Sequence, residues 1–174
     1  MRMDKLTSKF QMALADAQSL AVGRDHQFIE PTHILKALLD QDGSSIPHLL
    51  TQAGANVNQV RTQLDEALDR LASVEGSEGE VHLSNDSGKL LNLTDKLAQK
   101  RQDAYISSEL FVLAAVEGRE KSGEILRSAG VVKGALEKAI DDLRGGQKVE
   151  DPNAEENRQA LAKYTIDLTE RAVQ

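Results

Sequence analysis

Glu30 and His33 stand three residues apart. That is one half of a carboxylate-bridged dimetal pattern, in which two helices each lend a Glu-x-x-His pair. The matching places in the second half of the chain hold Ser107 and Leu110, so the other half of the pattern is missing. His26, His48 and His82 are each isolated, and a helix start with a surface histidine accounts for Glu30 and His33. No GxxxxGKS, GxxxxGKT or GxGxxG phosphate loop occurs, and no GxSxG elbow. The Ser, His and Asp residues show no spacing that builds a triad. With no Cys there is no thiol nucleophile, disulfide or thiolate metal site. KLAQKR at residues 96–101 puts Lys96, Lys100 and Arg101 near one helix face, which reads as a solvated face. We expect no catalytic residue, no metal and no cofactor in this chain.

The elements behind these residues repeat. Slid by 77 positions, LAVGRDHQFIEPTHILKALLD falls on LAQKRQDAYISSELFVLAAVE. Leu6, Leu14, Leu20, Ala21, Arg24, Ile29 and Ala37 meet Leu83, Leu91, Leu97, Ala98, Arg101, Ile106 and Ala114, seven identities in 36 positions and several times chance. With a one-residue adjustment LLTQAG also falls on EILRSAG. Internal self-similarity of this kind sets the architecture. Helical spacing of Leu6, Phe10, Ala13, Leu14, Ala17, Leu20 and Ala21 predicts a first helix with Asp4 as N-cap, ending at Gly23 or Asp25. A second follows Glu30, with Pro31 at its first position. A third runs from Ser45 to Ala53 and stops at Gly54, and a fourth starts near Asn56. The second set is expected at 86–102, 108–117, 121–129 and 132–144, with no strands. The fold class is all-α, a tandem pseudo-repeat of two four-helix units at 4–73 and 83–144 within a domain spanning 1–144. SVEGSEGEVH between the units reads as a loop. Residues 145–157 read as a flexible linker, with a reach of roughly 20 Å. The segment 158–174 starts a new helix with no partner for its apolar face, as if cut just inside a next domain.

Composition bounds the rest. Apolar residues are 40% and aromatics 3%, so the core is aliphatic. The net charge of -7 repels a phosphate backbone and argues against nucleic acid. No apolar run approaches the ~18–20 residues of a membrane span, and the charged start MRMDKLTSKFQMA is no signal peptide. These features fit a cytoplasmic protein that engages neither nucleic acid nor membrane.

The second copy is the greasier one. Asp16, His33 and Lys36 match Leu93, Leu110 and Leu113. If both copies fold alike, positions that are polar in the first face water in both, and the second copy then shows leucines to solvent. A contiguous exposed apolar cluster marks a binding surface. Leu110 and Leu113 share a helix face by their spacing. Leu91 matches Leu14 on the apolar stripe, which places it in the core or on the rim of a groove. The alternative is that the copies pack asymmetrically and bury these leucines in a seam between them.

MRMDKLTSKFQMALADAQSLAVGRDHQFIEPTHIL, LAQKRQDAYISSELFVLAAVE and ALAKYTIDLTERA together resemble the N-terminal region of the ClpB family of AAA+ disaggregases, over the whole chain. The resemblance implies a double four-helix Clp N domain joined to the start of a first, truncated AAA+ module. It implies a non-enzymatic module that engages unfolded or aggregated polypeptides through their apolar segments. The parent would be a homohexamer that threads them with ATP alongside the DnaK system, while the present chain would be a monomer. It also implies a polar set for substrate handling at Thr7, Asp103 and Glu109, for which helix capping and dipole compensation are the plain structural reading. An adaptor-docking domain and a structural cap over a ring are the two rival readings.

Overall fold

The computed structural model describes residues 2–74 and 80–158. Part of the loop between the repeats, and the helix expected beyond Arg158, lie outside the described residues. Eight α-helices fall in two sets of four: α1 Ser8–Gly23, α2 Pro31–Asp40, α3 Ile46–Gln52 and α4 Val57–Arg70, then α5 Asn85–Lys100, α6 Ser108–Val116, α7 Lys121–Ser128 and α8 Lys133–Arg144; a further helical stretch occupies the last described residues, 154–158. The all-α, twice-built architecture stands. Asp4 does not cap α1; it sits in a one-turn 3-10 helix at Met3–Lys5, and Thr7 is the N-cap, its Oγ1 accepting from the Phe10 amide. A Thr hydroxyl aimed at the third amide satisfies one of the donors that a helix start leaves orphaned.

The two copies are interleaved rather than merely adjacent. Contrary to the strand-free expectation, β1 Phe28–Ile29 and β2 His82–Leu83 pair in parallel, Ile29 opposite Leu83. The lead-in to the second copy thus pairs with the first. The reverse also holds, because Leu6 bridges Ile106 in parallel. The caps repeat as well: Thr7 donates its amide to the Ile106 carbonyl at 2.9 Å, and Ser84 donates to that of Ile29 at 3.1 Å. Each copy therefore supplies the strand that caps the other.

A second crossing point lies at the ends of α3 and α7. The Asn56 amide reaches the Ala129 carbonyl at 3.0 Å, and the Val132 amide reaches that of Ala53 at 3.1 Å. Here Gly54 and Gly130 hold φ of +98° and +107°, and a Cβ on Gly130 would sit 2.7 Å from the Gly54 carbonyl oxygen. Only glycine allows both the left-handed backbone and that approach.

Helix α6 is the centre of the molecule. All nine of its residues are buried, and it packs on α2, α5, α7 and α8. A helix apolar all round is one enclosed all round. Phe10 from α1 meets Phe111 of α6 edge-on, with ring centroids 6.0 Å apart.

Candidate functional site

The start of α6 carries the most concentrated polar chemistry of the described residues. The turn before it puts Gln102 at φ +61° and aims Asp103 inward. Helix α8 carries an apolar stripe of Leu136 and Ile140 that ends, one turn on, in Arg144. The Arg144 guanidinium meets Asp103 at 2.9 Å, Glu109 at 3.2 Å and the Ser107 hydroxyl at 3.0 Å. Both carboxylates are sealed from water. Ser107 is at the N-cap of α6, yet its hydroxyl accepts from Arg144 instead of from the helix amides.

The chain after α8 then closes over this corner. The Val149 carbonyl accepts from the Ala104 and Tyr105 amides, and the Val149 amide donates to Asp103. The Pro152 carbonyl accepts the Ser8 amide at 2.8 Å, the Ser8 hydroxyl bonds Asn153, and Thr7 donates to Glu155. Arg158 reaches Glu109 at 3.2 Å. Asp103 and Glu109 thus meet at an arginine pair, and Thr7, about a hundred residues earlier, joins the same corner through Glu155. Burial alone would raise the Glu109 carboxyl, but the Arg158 and Arg144 guanidiniums outweigh it and hold it below the usual carboxylate range. Burial, and next the charge on Glu109, push Glu155 up to about 7.

The leucines divide differently from expectation. Leu93 is 39% exposed, whereas Leu110 is 0%, Leu113 4% and Leu91 2% exposed. The exposure expected for Leu110 and Leu113 is corrected, and Leu91 is core rather than rim. The physical reason lies in the first copy. His33 is fully buried, not a surface histidine; its Nδ1 accepts the Glu30 amide at 2.8 Å and its Nε2 lies 2.8 Å from His26 Nδ1. Lys36 is half-buried, its ammonium reaching out to Asp65 at 2.9 Å and Asp40 at 3.2 Å. A polar residue whose hydrogen bonds are met does not mark a wet position.

Exposed apolar surface does exist elsewhere. An open groove of about 490 Å³ lies between α1 and β2, lined by Met3, Leu14, Ile29, Val81 and Leu83 among others. Met3, Leu83 and neighbouring Phe28 are exposed. Sequence reading missed this groove, because the β1–β2 pairing that builds it is two residues long. It also missed Arg144, Glu155 and Arg158. For Arg144 a signal was present: an arginine standing at i+4 from Ile140 on an otherwise apolar stripe. Among the described residues no group of three or more His, Asp and Glu could hold a metal ion, and no helix is long and apolar enough to cross a membrane.

Comparison with known proteins gives this geometry a family. The model of the Clp repeat (R) N-terminal domain matches residues 5–129. That is a repeat domain, not an ATPase domain. The chaperone protein ClpB of Vibrio cholerae serotype O1 is 59% identical over 174 residues, covering 100% of this chain and 20% of that protein. The chain thus spans about one fifth of the length of the curated relatives it matches. The Hsp104 N-terminal domain from Candida albicans shares the fold with a TM-score of 0.77, at 20% identity over 87% of this chain and 99% of that one. A ClpV N-domain solved in complex with a VipB peptide matches with a TM-score of 0.64, at 25% identity over 80% of this chain and 86% of that one. With a twice-built four-helix unit, interleaved caps and a family match over most of its length, the chain belongs to the Clp N-terminal repeat domain family.

Proposed function

We propose that this chain is the substrate-engaging N-terminal module of an ATP-dependent disaggregase. It captures exposed apolar segments of unfolded or aggregated polypeptides weakly and reversibly, and passes them to the ring. The observation that carries the reading is the open apolar groove beside β2, with Met3 and Leu83 in water in its lining and Phe28 exposed on the neighbouring strand. Exposed apolar side chains gathered around a concavity cost solubility and are retained where they bind something. Of the four leucines expected to bind, Leu93 alone reaches solvent, and it is not among the residues that line this groove. ATP, a homohexameric ring and the DnaK system belong to the proposed whole protein, and the cytoplasm is its proposed compartment.

A second reading, adaptor docking, is favoured by the ClpV N-domain solved with a VipB peptide. Titration with an unfolded, leucine-rich polypeptide, followed by residue-resolved NMR, separates the readings. Capture predicts shifts at Met3, Phe28 and Leu83 with many unrelated sequences, and their loss in Leu83→Gln. Adaptor docking predicts one tight partner and silence with the rest. Silence with every polypeptide leaves a structural cap.

A further inference from the structure

The polar corner is closed by the chain's own exit segment, and the closure is built almost without apolar contact. Between residues 145 and 158 only Val149 is buried. The remaining hold is hydrogen bonds and one ion pair: Lys148 on Gln102, the Val149 main chain on Asp103, Ala104 and Tyr105, Pro152 and Asn153 on Ser8, Glu155 on Thr7, and Arg158 on Glu109. Segments with few buried apolar contacts open at far lower free energy than the core they cover. Opening would leave no wrecked site behind. Asp103 and Glu109 keep Arg144, and Thr7 keeps its capping bond to Phe10. What opens is a free Ser8 amide at the head of α1 and a carboxylate pair with one negative charge in excess of its arginine.

We propose that residues 147–158 form a strap that lifts independently of the two repeats, and that an extended polypeptide takes its place on Thr7, Ser8 and Glu109. The second half of this rests on the polypeptide-binding reading above. The strap itself displays the chemistry the site accepts: a main-chain carbonyl on the Ser8 amide and a guanidinium on Glu109. Glu155 adds a bias. It faces Glu109 of α6 and Arg158, lines a cavity of about 210 Å³ with Lys9 of α1 and His48 of α3, and has Arg144 of α8 beyond Glu109. Held near 7 when docked, it binds a proton that it loses when the strap lifts. Docking therefore weakens as pH rises from the free-carboxyl range to about 7, and levels off above.

Hydrogen exchange on the full chain reads the lifting directly. The Ser8, Ala104 and Tyr105 amides should exchange about tenfold or more faster than the α6 amides. Arg158→Gln should speed them about tenfold again and leave α6 unchanged, and Glu155→Gln should slow them near pH 8. An unstructured synthetic peptide carrying leucines and one arginine should bind Arg158→Gln several-fold more tightly than the parent chain. Strap amides that exchange only together with α6 would overturn independent lifting. Equal affinity in both chains would overturn the exchange of strap for polypeptide. Absence of binding in either chain would overturn the polypeptide reading itself, with the exchange data still deciding whether the strap lifts.

Discussion

The corner before α2 and the corner before α6 are one piece of backbone built twice, and they bury polar groups in opposite ways. Asp25 and Gln102 make the same left-handed turn, at φ +57° and +61°. In the first copy His26 and His33 follow, two neutral rings satisfying one another and the Glu30 amide. At the equivalent places the second copy has Asp103 and Leu110, with Glu109 where the first has Thr32 and Arg144 where it has Leu68. The neutral pair is complete within its own repeat. The charged cluster keeps one negative charge in excess, and it recruits Arg158 from beyond the repeat. Backbone shape draws the exit segment onto both corners, Ser73 and Val74 onto the first as Val149 onto the second, and the charge left over adds Arg158 to the second alone.

The comparison breaks first at Arg144. Arg144→Met leaves buried Asp103 without a cation and Glu109 with Arg158 alone, and should cost about 3–5 kcal/mol in a denaturant titration. A loss under ~1 kcal/mol would mean the cluster is solvated and the contrast illusory. Leu110→Ala should cost about 2–5 kcal/mol, since its side chain lies wholly in the core. His33→Leu, which installs the second copy's residue in the first, should cost about 1–3 kcal/mol by leaving the Glu30 amide and His26 unpaired.

The same variant sharpens the acid response. Burial first, then His26 and Arg24, lower His33 from 6.5 to about 4 in the folded chain. Between those values the unfolded chain binds the proton and the folded one does not. Stability should therefore be full above 6.5 and fall as pH drops towards 4, with a slope that His33→Leu flattens. A slope untouched by the variant would assign the acid loss elsewhere. Smallest of all, Leu93→Gln should shift stability by less than about 0.5 kcal/mol, because Leu93 already faces water.

Much of the fold was legible because helices advertise themselves locally. Pro31 at a helix start, Gly54 and Gly130 at helix stops and the 77-residue echo of apolar stripes each depend on near neighbours. The two-residue strands were not legible, since β1 finds β2 across more than fifty residues and carries no alternation of its own. The burial of Leu110 was not legible either, because polarity at His33 is no mark of water: a histidine with both ring nitrogens engaged is as buried as the leucine it replaces.

Sequence alone determined the two sets of four helices, their duplication and the aliphatic core, because each follows from spacing and composition along the chain. Tertiary structure decided which side chains meet water, how each copy lends a strand to the other, and that Thr7, Asp103 and Glu109 share one corner with Arg144 and Arg158. Burial and ion pairing belong to pairs of surfaces, and the residues that form those surfaces lie up to 148 positions apart.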